Sequence, residues 1–427
     1  MELVVEMALF TLLGLVAGYT VLVLSRRVNG MNEFSKIKRD LSRFVSRDKR
    51  LHALFPPQYV SIRKEEVVFN SQPVTASWQS VSEARLVEVK AGLESRIERA
   101  ALAAPSFAAA LRYAFAKSGK MIRSRIVLLL GTCLDISDWP SLVLLAQAVE
   151  LEHCASLLHD DVVDDADTRR GIESHRKRFG DRTAVLTGDN LISLLVDALT
   201  DIGNMKVTET ISGSIEALVI GELVQLMHTS SDVQQDLKDE RLTQLVPAQT
   251  TDPFLVSQMF VYLRKSFFKT ASLFAALARC VGIIGNLDNK AIDSLGSFGF
   301  FFGLAFQLVD DILDVEPSCE DELGKPSGGS DVKNGTITLP VLLAADSALP
   351  DSERTELVKM IRRRFKLGGD VERTLALLGK SNAVERAREM VSLYLGRARA
   401  DLLDALREKK RIEVIDGLLR DYGSRRS

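Results

Sequence analysis

Asp160-Asp161-Val162-Val163-Asp164 and Asp310-Asp311-Ile312-Leu313-Asp314 share one pattern, D-D-aliphatic-aliphatic-D, and stand 150 positions apart. Each closes an apolar run, Ala155-Ser156-Leu157-Leu158 before the first and Leu304-Ala305-Phe306-Gln307-Leu308-Val309 before the second. On a helix the first and last Asp of each motif fall one turn apart on a single face. Two such faces turned toward each other gather six carboxylates, more negative charge than one site holds without cations. Oxygen-rich sites of this kind suit Mg²⁺, which takes a few carboxylates together with waters and substrate phosphates. One copy reads as readily as a solvated helix surface. Two copies, each ending an apolar helix, read as a metal site.

The basic residues point the same way. Ser118-Gly119-Lys120-Met121-Ile122-Arg123 lies upstream, Arg169-Arg170-Gly171 follows the first acidic motif, and Gly324-Lys325-Pro326 follows the second. Lys265 and Lys269 share one helical face. Arg grips phosphate through its planar fork and Lys as a point charge. Any one of these clusters alone reads as a solvated patch. With the carboxylates they describe a pocket for two polyanions, one held through Mg²⁺ and one held directly by cations.

From about residue 85 onward the chain resembles a trans-prenyltransferase, an all-trans long-chain polyprenyl diphosphate synthase. The resemblance rests on Gly119-Lys120-x-x-Arg123, Glu150-Leu-Glu-His153 through Asp161, Arg169-Arg170-Gly171, Gly188-Asp189, Gly221-Glu222-x-x-Gln225, Lys269-Thr270-Ala271-Ser272, Gly303-x-Ala-Phe-Gln307 through Asp311, and Gly324-Lys325-Pro326 through Pro340. It departs at Met121, where the family has Arg, and at Ser124, where it has Pro. The first removes a cation near a diphosphate.

The resemblance implies an all-α, isoprenoid-synthase-type helical bundle, as a homodimer or a heteromer with a related subunit. It implies sequential addition of isopentenyl diphosphate to an allylic diphosphate, with three Mg²⁺ ions. Asp160, Asp164 and Asp310 are the implied metal ligands, with Asp161, Asp311 and Asp314 close behind. Lys120, Arg123, His153 and Arg170 would hold isopentenyl diphosphate, Arg169 the allylic diphosphate, and Lys325 and Lys333 would close over both. Lys269, Thr270 and Gln307 fall near the reacting carbons. A buried structural role competes for His153, and His159, His175 and His228 have no stronger claim. Side chains one turn before Asp160 line the path of the growing tail; Ala155 and Ser156 are both small, which favours a long product such as the ubiquinone side chain.

The periodicity read without the family agrees: from residue 82 onward long helical patterns dominate, with short Gly- or Pro-marked breaks and no strand alternation. A net charge of −2 gives no marked attraction for nucleic acid. Cys133, Cys154, Cys280 and Cys319 lack the paired spacing of a zinc site or a disulfide framework.

The N-terminus differs from the rest. Met7 to Ser25 carries no charge, and Glu2 and Glu6 precede it where a signal peptide has a basic region. At about 1.5 Å per residue such a helix just crosses a hydrocarbon core of about 30 Å. Residues 1–27 therefore read as a single transmembrane anchor, and Arg26-Arg27 after it keep the catalytic part on the cytoplasmic or matrix side. Residues 28–81 read as a basic amphipathic segment and connector, with nine basic and three acidic residues over 26–50. Residues 82–427 form the catalytic domain. The mitochondrial inner membrane is the favoured location, ahead of the endoplasmic reticulum or a bacterial plasma membrane. A non-catalytic or structural prenyltransferase-like subunit of a membrane complex is the rival reading, and two intact acidic motifs argue against it.

Overall fold

In the computed structural model the described residues are 77–117, 119–227, 252–316, 328–347, 349–406 and 412–425. The anchor assigned to 1–27, most of the connector, residues 228–251 with His228, and Cys319 and Lys325 lie outside them. Residues 77–81, read above as the end of the connector, instead form the cap and first turn of helix α1 (Trp78–Ala103). Ser77 caps it by accepting from the Ser80 amide at 3.2 Å. Trp78, Ser82, Leu86, Val89, Leu93, Ile97 and Ala101 bury one stripe. The first turn sets Trp78 and Val81 around polar Gln79 and Ser80, too short a pattern to mark the start.

The remaining helices follow in short order. They are α2 (Ala108–Tyr113), α3 (Ile122–Cys133), α4 (Trp139–Val163), α5 (His175–Phe179), α6 (Asp181–Ile202) and α7 (Met205–Met227). Beyond 251 come α8 (Pro253–Ser266), a π-helical turn (Phe267–Ala271), α9 (Ser272–Ile284), α10 (Asn289–Val315), α11 (Ser330–Lys333), α12 (Leu339–Ala345), α13 (Asp351–Arg362), α14 (Asp370–Lys380), α15 (Ala383–Ala405) and α16 (Ile412–Gly423). Asp138, Asp252 and Asp288 cap α4, α8 and α10 through bonds of 3.2, 2.8 and 2.9 Å to the amides of Ser141, Phe254 and Ala291. The all-α expectation holds, with one small addition. Thr168–Arg169 (β1) and Ile172–Glu173 (β2) pair antiparallel around Arg170 and Gly171. Both turn residues have positive φ, 53° and 75°, as a two-residue type I′ hairpin requires.

Central α10 packs against α9, α15 and the π-helical turn, and α4 packs along α6. Phe274 of α9 sits 5.3 Å from both Phe302 and Phe306 of α10, and Tyr422 of α16 closes the cluster at 5.5 and 5.4 Å from the same two rings. Truncating a fully buried ring such as Phe302 to Ala costs about 3–5 kcal/mol. Helices α4, α6 and α10, and α8 with α9, are long and apolar enough by composition to cross a membrane, yet they are the helices that make this core.

Polar groups interrupt the core where α4 meets its neighbours. Glu152 is 4% exposed, and burial pushes its carboxyl up to about 8, against the Ser214 hydroxyl, which pulls it down. Ser214 Oγ lies 3.0 Å from Glu152 Oε1 and 2.7 Å from the Ile211 carbonyl. One hydroxyl proton cannot serve both acceptors, so a neutral Glu152 donating to Ser214 satisfies the chain of bonds. The folded protein thus holds a proton on Glu152 that the unfolded chain releases above the ordinary 4.5. The stability contributed by this group is complete below 4.5 and is lost as pH rises toward about 8. Glu152→Gln cannot ionise, so its thermal midpoint should gain on the wild type steadily across that window. Unfolding curves of both proteins over the pH series check this; parallel curves would refute it.

Candidate active site

Both acidic motifs end long helices at the same mouth. Asp160, Asp164 and Asp310 line one cavity of about 810 Å³, with Asp311 and Asp331 beside them. The same lining carries cations: Lys120, Arg123, Arg169, Arg170, Lys265, Lys269 and Arg425. His153, Thr270 and Gln307 also face this space. Lys333 is exposed on α11 and lies outside the cavity lining.

The six motif carboxylates divide into two sets. Asp161 is 2% exposed and its Oδ1 accepts from Arg169 Nε at 2.9 Å; burial raises its pKa and Arg169 opposes that rise. Asp311 is 3% exposed, and burial pushes it up to about 7 despite bonding from Tyr262 and Gln307. Asp314 turns away from the cavity and caps α11: its Oδ1 accepts from the Ser330 amide and its Oδ2 from the Asp331 amide, each at 3.0 Å. That capping role, absent from the sequence reading, leaves Asp160, Asp164, Asp310 and Asp311 as the motif carboxylates on the cavity lining. Asp331 joins them on the cavity wall, pushed up to about 6 by burial and by Asp314 and Asp310, with Lys265 opposing.

The cations are held in place by apolar and backbone contacts. Arg123 lies 5.0 Å from the Phe274 ring and 5.9 Å from the Phe306 ring, and its Nε has no hydrogen-bond partner. Arg170 donates to the Lys117 carbonyl at 3.0 Å. A Cβ on Gly119 would meet the Arg170 guanidinium carbon at 3.0 Å, so glycine there admits the side chain. Burial, then Arg123, Arg170 and Arg169, drives the His153 pKa well below 6.5, so its ring is neutral at pH 7. His159 and His175 are structural: their Nε2 atoms bond the carbonyls of Val185 at 3.2 Å and Ala110 at 3.1 Å.

The π-helical turn brings up the third group. Gly221 lets α7 close on it, since a Cβ would meet Phe268 Cβ and Lys269 Cγ at 2.9 Å. Lys269 pairs with Glu222. Burial lowers the Lys269 pKa, and Asp160, Glu222 and Asp164 together outweigh it, leaving the ammonium charged. Thr270 Oγ1 donates to Gln307 Oε1 at 2.7 Å, and Gln307 Nε2 donates to Asp311 Oδ1 at 2.9 Å. That relay fixes the Gln307 amide at the cavity lining.

Among the described residues, no three His, Cys, Asp or Glu side chains converge tightly enough to hold an ion alone. This fits Mg²⁺, which is bound through one or two carboxylates with phosphate and water rather than in an all-protein cage. Carboxylates from both motifs, sharing one cavity with cations that suit diphosphate, form such a donor set.

The match to the polyprenyl synthetase family runs over residues 104–378. The chain belongs to this family. It is a prenyltransferase, as its curated relatives are. It is 35% identical over 321 residues to a prenyl transferase of Synechocystis, covering 74% of this chain and 90% of that protein. It is 35% identical over 303 residues to the mitochondrial hexaprenyl pyrophosphate synthase of Saccharomyces cerevisiae, covering 66% of this chain and 62% of that enzyme. A Caulobacter crescentus polyprenyl synthase, solved with calcium and isoprenyl diphosphate, superposes with a TM-score of 0.66 at 28% identity, covering 83% of this chain and all of that one.

Asp331, Arg425 and Tyr422 complete the polyprenyl synthetase cavity without a signal that sequence reasoning used. Arg425 Nη1 reaches within 3.4 Å of Asp310 Oδ1 from the far end of the chain. Asp331 is the nearest to legible, since it follows the Gly328-Gly329 pair inside a quoted motif. Of the two chain-length candidates, Ser156 faces the cavity while Ala155 is buried in the core at 1% exposure.

The two departures also have a local account. Met121 adopts φ 50° ahead of α3 and presents a mostly buried apolar side chain to the cavity. Ser124 donates its amide to Glu150 Oε1 at 3.2 Å, and its hydroxyl stands between that oxygen at 3.0 Å and the Ala146 carbonyl at 2.9 Å, contacts a proline cannot make. Ser124→Ala keeps the amide bond but strips the hydroxyl from a buried carboxyl. Chemical denaturation should find it about 1–3 kcal/mol less stable, and an unchanged midpoint would show that this bond contributes nothing net.

Proposed function

We propose that this chain condenses isopentenyl diphosphate repeatedly onto an allylic diphosphate, with Mg²⁺, to give a long all-trans polyprenyl diphosphate for the ubiquinone side chain. One observation carries the reading: carboxylates from both acidic motifs and a cationic wall line the same cavity. The hexaprenyl synthase relative supports the long product.

Asp160, Asp164 and Asp310, with Asp331 adjacent, would hold three Mg²⁺ ions between themselves and the allylic diphosphate. The ions supply Lewis acidity toward the departing diphosphate. Lys120, Arg123 and Arg170 bind the second diphosphate, and neutral His153 donates a hydrogen bond to it. Arg169, still bonded to Asp161, turns its exposed edge toward the allylic diphosphate. Lys325 and Lys333 would add their ammonium charges to the diphosphates. The allylic C–O bond breaks with its electron pair on diphosphate. The isopentenyl double bond supplies the pair for the new C–C bond, and the proton lost from the adjacent carbon passes to the released diphosphate. The Thr270–Gln307 oxygens and the Lys269 carbonyl stabilise the positive charge on the allylic carbons, in a site whose apolar walls keep water out. Asp160→Ala and Asp310→Ala should each cut condensation by orders of magnitude with helix content unchanged by circular dichroism. Near-normal turnover of either would sink the metal assignment.

A long polyprenyl chain is insoluble in water, so a membrane location suits it. Residues 1–27 would anchor the enzyme, with the matrix side of the mitochondrial inner membrane favoured, and assembly as a homodimer or with a related subunit. Deleting 1–27 should release the protein from membranes while condensation persists. A truncated protein that stays membrane-bound through a high-salt wash would rule these residues out as the main anchor.

A further inference from the structure

Beneath the cavity lies a pair of polar groups that the chemistry above leaves unused. Ser156 on α4 and Leu218 on α7 both line the cavity. One turn deeper on the same two helices stand Glu152 and Ser214, and their side chains meet at 3.0 and 3.3 Å. Both helices run with their C-terminal ends toward the mouth, where Asp160 of α4 and Glu222 of α7 act on Lys269. Residues four apart stack along a helix face, so the Glu152–Ser214 bond lies directly below Ser156 and Leu218. Both residues are closed off from solvent, at 4% and 1% exposure. A hydrocarbon tail passing down from Asp160 between α4 and α7 meets this bond next.

We propose that the Glu152–Ser214 bridge is a polar gate across the floor of the product cavity, and that elongation beyond it requires the tail to part it. The proposal deepens the synthase reading and rests on it. Hydrocarbon offers no hydrogen bond, so a tail that parts the bridge leaves a buried carboxyl and hydroxyl facing apolar surface. Burial keeps the carboxyl neutral near pH 7, which makes the gate passable. Chains that reach this depth are held back and partly released; those that part the bridge continue to grow.

The test is product length. Wild-type protein, Glu152→Gln, Glu152→Ala and Ser214→Ala are each incubated with Mg²⁺, farnesyl diphosphate and labelled isopentenyl diphosphate, and the dephosphorylated products are separated by chromatography. Glu152→Ala and Ser214→Ala should shift the ladder toward longer chains by one or more isoprene units. Glu152→Gln, whose amide N–H can still donate to Ser214, should retain the wild-type ladder. If Glu152→Ala fails to fold, Ser214→Ala decides, since it removes a single oxygen. Condensation with an unchanged or shortened ladder in the Ala variants overturns the gate alone. Absence of condensation by the wild-type protein overturns the synthase reading and the gate with it.

Discussion

Negative charge gathered at the wrong end of two helices is the constraint on which this structure turns. A helix C-terminus carries a partial negative charge and favours cations, by about 0.3–1 kcal/mol at exposed sites. Here α4 and α10 each end in three carboxylates. The fold relieves half of that load internally. Asp161 is bonded by Arg169, Asp311 by Gln307, and Asp314 by the amides that open α11. The other three line the cavity, where Arg425 lies 3.4 Å from Asp310 and the Lys269 ammonium stands near Asp160 and Asp164. The pattern D-D-x-x-D therefore does two jobs, with one part bracing the walls and the other leaving charge open to bind.

The cationic wall shows the complementary economy. Arg123 rests on Phe274 and Phe306, so its charge is positioned by rings that also belong to the core. Removing those rings would loosen the bundle and the site together. Arg170 owes its position to the two positive-φ residues of the small hairpin and to the missing side chain of Gly119. In each case a local backbone or packing feature, visible as a Gly or Phe in the sequence, sets the direction of a charge.

Those features explain why so much was legible. Helical period, paired acidic motifs and Gly-marked turns are local, and the all-α architecture and the meeting of both motifs at one cavity follow from them. What escaped depends on distant approach. Arg425 meets Asp310 only because α16 folds back across α3 and α10. Asp314 could not be told from its motif partners until α11 docked on it. The choice between Ala155 and Ser156 turns on helix phase, which adjacent positions in a sequence leave open. Glu152 reads as one more polar residue in a motif until its partner appears on another helix.

The apolar length of α4, α8–α9 and α10 would suit a bilayer, and on the synthase reading the same property serves the chemistry. An allylic cation is quenched by water, so the walls around it must be dry. A growing prenyl tail leaves the reacting centre into whatever lies beneath, so the space there must be apolar along its length. One set of long apolar helices meets both needs, with charge confined to the ends where the diphosphates sit. Each buried polar group within that apolar length then becomes a local barrier to hydrocarbon. Glu152 and Ser214 form such a barrier one turn below the cavity wall, with the carboxyl kept neutral by the same burial that keeps the site dry.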